Sequence, residues 1–139
     1  MSEYQKEIRR ELAAKGKQVL RHVIRLVLYP DSQENYNHWK QEIVAFISDV
    51  DKVKGKNKWP NKEFIKEAIS TQNDMIDAVI RQVKLQENEL RPRNVDSSVV
   101  LNAVEEYQDW LAGTLSRDGI IDPYEAFDVL DEIVDRTRD

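Results

Sequence analysis

The sequence predicts an all-α fold, a single domain over residues 1–139 packed as a bundle of about five helices. Apolar residues recur at three- and four-residue steps through five stretches, which is the signature of helices with one buried face. No segment alternates apolar and polar residues for long, so strands are not expected. Prolines and capping residues punctuate the periodic stretches at their ends. The 139 residues include no cysteine, which excludes a disulfide framework, a thiol nucleophile and a thiolate metal site. A chain of this length can bury a core without such staples.

The first helix is expected over about 3–29, with Ile8, Leu12, Val19, Val23 and Leu26 on one face. Gly16 falls on that stripe and costs helix propensity, which predicts a point where a neighbouring helix comes close. From Val19 onward Leu20, Ile24, Val27 and Leu28 add a second apolar face, so this half should be the most buried element. Pro30 stops it, because proline cannot continue the hydrogen-bond ladder.

A second helix is expected over about 35–52, with Tyr36, Trp39, Ile43, Phe46, Ile47 and Val50 on its stripe. It gives way to a lysine-rich stretch, Lys52 to Lys58. The spacing predicts a third helix over 60–85, with Pro60 in its first turn and a wide apolar stripe from Phe64 to Val83. A fourth helix over 97–112 is expected to be capped by Asp96 or Ser97 and ended by Gly113. A fifth, over 123–136, opens at Asp122-Pro123 with Phe127, Leu130, Ile133 and Val134 facing inward.

The run His22-Val23-Ile24-Arg25-Leu26, followed by Pro30 and by Trp39 with Glu42-Ile43, resembles the signature of an all-helical bacterial family, the domain-of-unknown-function family numbered twenty-nine. The likeness covers roughly residues 17–69. His38 stands where that family usually has a serine before the tryptophan. The resemblance implies a helical fold and, because the family has no assigned activity, no chemistry.

Charge is unevenly distributed within a net of −5. Residues 1–30 carry seven Lys/Arg against three acids, and residues 95–139 carry three Arg against twelve acids. The two ends can attract each other, within one bundle or across a homodimer, or the acidic end can face a basic partner. Glu125, Asp128, Glu132 and Asp135 run down one side of the last helix, and Glu105 and Asp109 add acid on the helix before it. These six are the expected partner-binding residues of a non-enzymatic protein-interaction module. No phosphate loop, nucleophile elbow or catalytic triad pattern occurs, and no catalytic residue is expected.

The alternative function is divalent-metal binding. The stretch 114–125 is similar to an EF-hand calcium loop, with Ser116, Asp118, Gly119, Asp122 and Glu125 at positions three, five, six, nine and twelve. Thr114 takes the place of the first acidic ligand. The plainer reading is a turn at Asp118-Gly119 and a helix start at Asp122-Pro123. Glu34, His38 and Glu42 stand four apart on the second helix, either as a solvated ladder or as part of a metal site. His22, on the apolar stripe, reads as a histidine at the core's edge making one hydrogen bond.

Lysines 52, 54, 56, 58 and 62 surround Trp59, but with an acidic chain and no recognised motif a nucleic-acid partner is not expected. The start of the chain does not read as a signal peptide, and no apolar run is long enough to span a bilayer. A cytoplasmic protein with no membrane partner is therefore expected.

Overall fold

Ser2 opens the first helix through a reciprocal cap: its hydroxyl accepts from the Gln5 backbone N–H, and the Gln5 side chain accepts from the Ser2 N–H. That helix, α1, runs Glu3–Leu28. The computed structural model describes residues 2–54, 58–118 and 121–138. Beyond α1 come α2 (Gln33–Lys54), α3 (Lys62–Ile69), α4 (Ile76–Gln86), α5 (Ser97–Asp118) and α6 (Pro123–Arg136). A single 3-10 turn, Asn73–Met75, precedes α4. Among the described residues there is no strand, and the architecture is the all-α bundle that the periodicity predicts.

α1 touches all five other helices and is the axis of the bundle. Its second half is buried nearly all round, with Val19, Leu20, His22, Val23, Ile24, Leu26, Val27 and Leu28 each shielded from solvent. Burying each of the apolar side chains contributes on the order of 2 kcal/mol. The expected close approach at Gly16 is present. A Cβ built there would lie 2.6 Å from the Ile69 carbonyl oxygen and 2.7 Å from its Cα, so α3 ends directly against the α1 backbone.

The end of α1 is also held from outside. The Tyr29 N–H donates to the Arg25 carbonyl, and beyond Pro30 the chain turns into α2. Arg93, in the extended connection after α4, donates its backbone N–H to the Leu28 carbonyl (2.8 Å) and its guanidinium to the Val27 carbonyl (3.0 Å). The same guanidinium bonds the Thr137 hydroxyl and carbonyl just past α6. Through its backbone N–H and its side chain, Arg93 thus satisfies two carbonyls at the end of α1 and ties down the end of α6.

Helix bounds differ from the sequence expectation chiefly in the third and fourth helices. The third helix, expected over 60–85, is two helices, with Ser70 to Met75 between them. Ser70 turns its hydroxyl back onto the Lys66 carbonyl (2.7 Å), and Asn73 is held by a two-way amide pair with the buried Gln108 of α5. The Ser70 hydroxyl shares the Lys66 carbonyl with its own backbone N–H, and the Asn73 amide is held by α5, so both favour an end to the helix here. At its start, Asn61 caps α3 by accepting from the Phe64 N–H (2.9 Å), so Pro60 precedes the helix instead of lying in its first turn. The fourth helix does not stop at Gly113 but continues to Asp118. Leu115 extends the buried stripe through Tyr107 and Leu111, and that burial carries the helix past a residue that permits an end without imposing one.

Candidate functional site

The acidic end of the chain is sorted by its neighbours into spent and unspent carboxylates. Asp131 of α6 is spent: Lys40 of α2, buried despite its charge, donates to both of its oxygens at 3.0 and 3.2 Å. The Tyr36 hydroxyl donates to the same carboxylate at 2.8 Å. The Lys40 ammonium also lies 4.9 Å from the Tyr36 ring centre and 5.2 Å from that of Phe127, a cation–π enclosure. Glu106 pairs with Arg136, and Asp31, in the turn after α1, pairs with Arg138. Asp109 sits between Lys62 and Lys66 of α3, at 3.1 and 3.2 Å, and those lysines hold its carboxyl below the usual carboxylate range. Asp109 therefore joins α5 to α3 through two ion pairs.

Glu125, Asp128, Glu132 and Asp135 are exposed along α6, and Glu105 is exposed on α5 one turn before Asp109. Among the described residues none of these five has a cationic partner. Nor does any ion pair there join residues 1–30 to residues 95–139; the first helix spends Arg9, Lys15 and Arg25 on Glu67, Asp49 and Glu87. The attraction between the two ends that the composition suggested is not used inside the bundle. Four carboxylates on one helix stripe, at steps of three and four, leave a ridge of unneutralised charge.

Of the residues expected to line a calcium loop, those described belong to α5 and to the start of α6. Residues 114–118 lie in α5. Thr114 is buried, and the Ser116 hydroxyl donates to the Gly113 carbonyl at 2.9 Å. The side chain of Asp118 and residue Gly119 lie outside the described residues. Asp122 caps α6 by accepting from the Tyr124 N–H (2.9 Å), and Glu125 is exposed in its first turn. The helix-start reading of Asp122-Pro123 holds, because the buried stripe of α5 occupies positions where the loop would have to begin. Among the described residues no group of three or more His, Asp or Glu is arranged to hold a metal.

Of the second-helix ladder, His38 and Glu42 are joined and Glu34 stands apart. The partner that sequence spacing missed is His22 of α1. Its Nε2 lies 2.7 Å from the second Glu42 oxygen, so one carboxylate bridges an exposed and a buried histidine. His22 Nδ1 lies 2.9 Å from the Gln18 carbonyl oxygen and 3.3 Å from Arg25 Nη1, and the ring meets Phe46 edge-on. A neutral ring satisfies only one oxygen at a time: a proton on Nε2 donates to Glu42 and leaves Nδ1 to accept from Arg25, whereas a proton on Nδ1 donates to the Gln18 carbonyl. These residues line a cleft of about 430 Å³ between α1, α2 and the end of α4.

Burial lowers the His22 pKa from its ordinary 6.5, outweighing the opposing hydrogen bond from Glu42, and Arg25 adds to the lowering. The unfolded ring therefore takes up a proton at a higher pH than the folded one, and acid favours the unfolded chain. The His22 contribution to stability is complete above about pH 6.5 and is lost as pH falls through the depressed folded value. Urea midpoints of the wild type should decline from pH 7.5 to pH 5, and His22→Gln should flatten that decline. Equal slopes in the two proteins would remove His22 as its source.

Around Trp59, three of the lysines are described with their partners. Lys52 pairs with Asp49, Lys62 with Asp109, and the Lys58 carbonyl accepts from the Tyr4 hydroxyl. The side chain of Lys54 and residue Lys56 lie outside the described residues. Trp59 packs against the core. No described helix is long and apolar enough to cross a membrane.

No family model, curated protein or solved structure matches this chain.

Proposed function

We propose that the protein is a non-enzymatic helical module that docks a cationic protein segment along the outer ridge of α6. The observation that carries this reading is the sorting of the carboxylates. Asp31, Glu106, Asp109 and Asp131 each have a cation within the bundle, whereas Glu125, Asp128, Glu132 and Asp135 have none among the described residues. A helix rise of 1.5 Å per residue spreads the four over roughly 15 Å, a length that an extended segment of about five residues can follow. Complementary charge of this kind steers encounter and sets specificity. The resemblance over residues 17–69 is in keeping with a helical module and adds no activity to it.

A second copy of the chain is one candidate partner, since Arg10 and Lys17 are exposed on α1 with no ion pair among the described residues. The test is affinity capture from the native cell, with a variant carrying E125Q, D128N, E132Q and D135N as control. The expected result is a partner that the wild type retains, the variant loses and added salt weakens. If a variant with unchanged circular dichroism retains the same partners, the ridge is not the docking surface. Sedimentation of the wild type identifies self-association as the source of any capture.

A further inference from the structure

The cations of α1 divide as the carboxylates near the chain's other end do. Arg9 is held by Glu67 at 3.2 Å, Lys15 by Asp49 at 3.3 Å and Arg25 by Glu87 at 3.5 Å. Arg10 and Lys17 are exposed and have no carboxylate within ion-pair distance among the described residues. Lys6, one turn before Arg10, meets Glu3 at 3.6 Å across an exposed i, i+3 step, and a surface pair of that kind contributes little. At 3.6 residues per turn, Lys6, Arg10 and Lys17 fall on one stripe about 16 Å long, while Glu7 and Glu11 lie about 60° and 100° round the helix from Arg10. Ala13 and Ala14 stand between Arg10 and Lys17, so no bulky side chain of α1 screens the two cations from an approaching helix.

We infer that this stripe of α1 seats the α6 ridge of a second copy of the chain. The inference rests on the ridge being a docking surface and names what docks there. Stripe and ridge match in sign and in length, about 16 Å against about 15 Å, and each keeps its charges on one side of a helix. No ion pair among the described residues joins residues 1–30 to residues 95–139, so the opposite charges of the two ends are left for a contact between molecules. A cationic segment of a different protein would neutralise the ridge and leave the α1 stripe unpaired. A second copy neutralises both. One helix seated on another buries less than a standard interface, so the association is weak and is screened by salt. Reciprocal exchange closes a dimer, one-way contact builds a longer assembly, and the same residues meet in either.

Because the chain has no cysteine, Gln18→Cys places a single nitroxide label at the edge of the stripe. Mixed with isotope-labelled wild type at about 20 mM salt, the tagged protein should broaden the amide signals of Glu125 to Asp135 in the untagged copy, and about 0.5 M salt should abolish the effect. Sedimentation of the untagged wild type should show a mean mass that rises with concentration at low salt. Arg10→Glu with Lys17→Glu should weaken that association by about tenfold, and so should E125Q, D128N, E132Q and D135N together. Arg81→Gln, which removes an exposed charge on α4, should leave it unchanged. Folded variants are recognised by an unaltered circular-dichroism spectrum. Broadening confined to other regions, or self-association that survives both sets of substitutions, would overturn the inference. A monomeric protein whose captured partner still depends on the four α6 carboxylates would overturn self-docking and leave the ridge reading standing. A monomer whose partners ignore those carboxylates would remove both.

Discussion

Gly16→Ala should lower the unfolding free energy by about 2 kcal/mol, although alanine is the better helix former by about 1 kcal/mol. The new methyl carbon would sit 2.6 Å from the Ile69 carbonyl oxygen and 2.7 Å from its Cα, both backbone atoms. No rotamer change relieves that overlap; α1 and the end of α3 have to move apart. Overpacking of a tight contact costs about 3 kcal/mol when the backbone must shift, which leaves the net loss after the propensity gain. For a domain of this size the melting temperature should fall by about 8 °C. Gly16→Ser should cost at least as much. An alanine variant as stable as the wild type would mean that the helices do not cross here.

Gln108→Ala should cost about 2.5 kcal/mol, read as a lower urea midpoint at unchanged slope. Gln108 is buried, accepts from Asn73 Nδ2 at 2.8 Å and donates to Asn73 Oδ1 at 3.0 Å. Its Nε2 also reaches the Ile69 carbonyl oxygen at 3.4 Å. Truncation leaves the Asn73 amide without its partner and opens a void, and both effects destabilise. Asn73→Ala on its own should lose part of the same energy, so the double variant should fall short of the sum by about 1 kcal/mol. Full additivity would show that the amide pair does not hold the break between α3 and α4. Gly16 and Gln108 converge on the same carbonyl of Ile69, so their substitutions should also be coupled.

Features that depend on neighbours along the chain are legible in the sequence itself. The helical rhythm, the stop at Pro30, the start at Asp122-Pro123 and the crossing at Gly16 each follow from side chains within a few residues of one another. A stripe of apolar residues says which face is buried, because helix geometry places i, i+3 and i+4 side by side. The exposure of Glu125, Asp128, Glu132 and Asp135 follows in the same way from the opposite stripe.

What spacing could not express is which residue waits on the neighbouring helix. Asp109 looks like a member of the acidic face until Lys62 and Lys66 are brought against it, and no spacing pairs Asp131 with Lys40. His22 meets Glu42 across a turn, a pairing that no spacing within α1 or α2 announces. The stretch Ser70 to Met75 carries enough helical periodicity to run on, yet an amide pair to a residue 35 positions away helps hold it broken. At Gly113 the opposite happens, and burial of Leu115 continues a helix that local preference would have ended. The sequence alone determined which faces seek shelter from water, since that is a property of each helix. Only the tertiary structure decided which polar groups are left unpaired, since pairing is a property of two elements at once, and the proposed docking ridge consists of such groups.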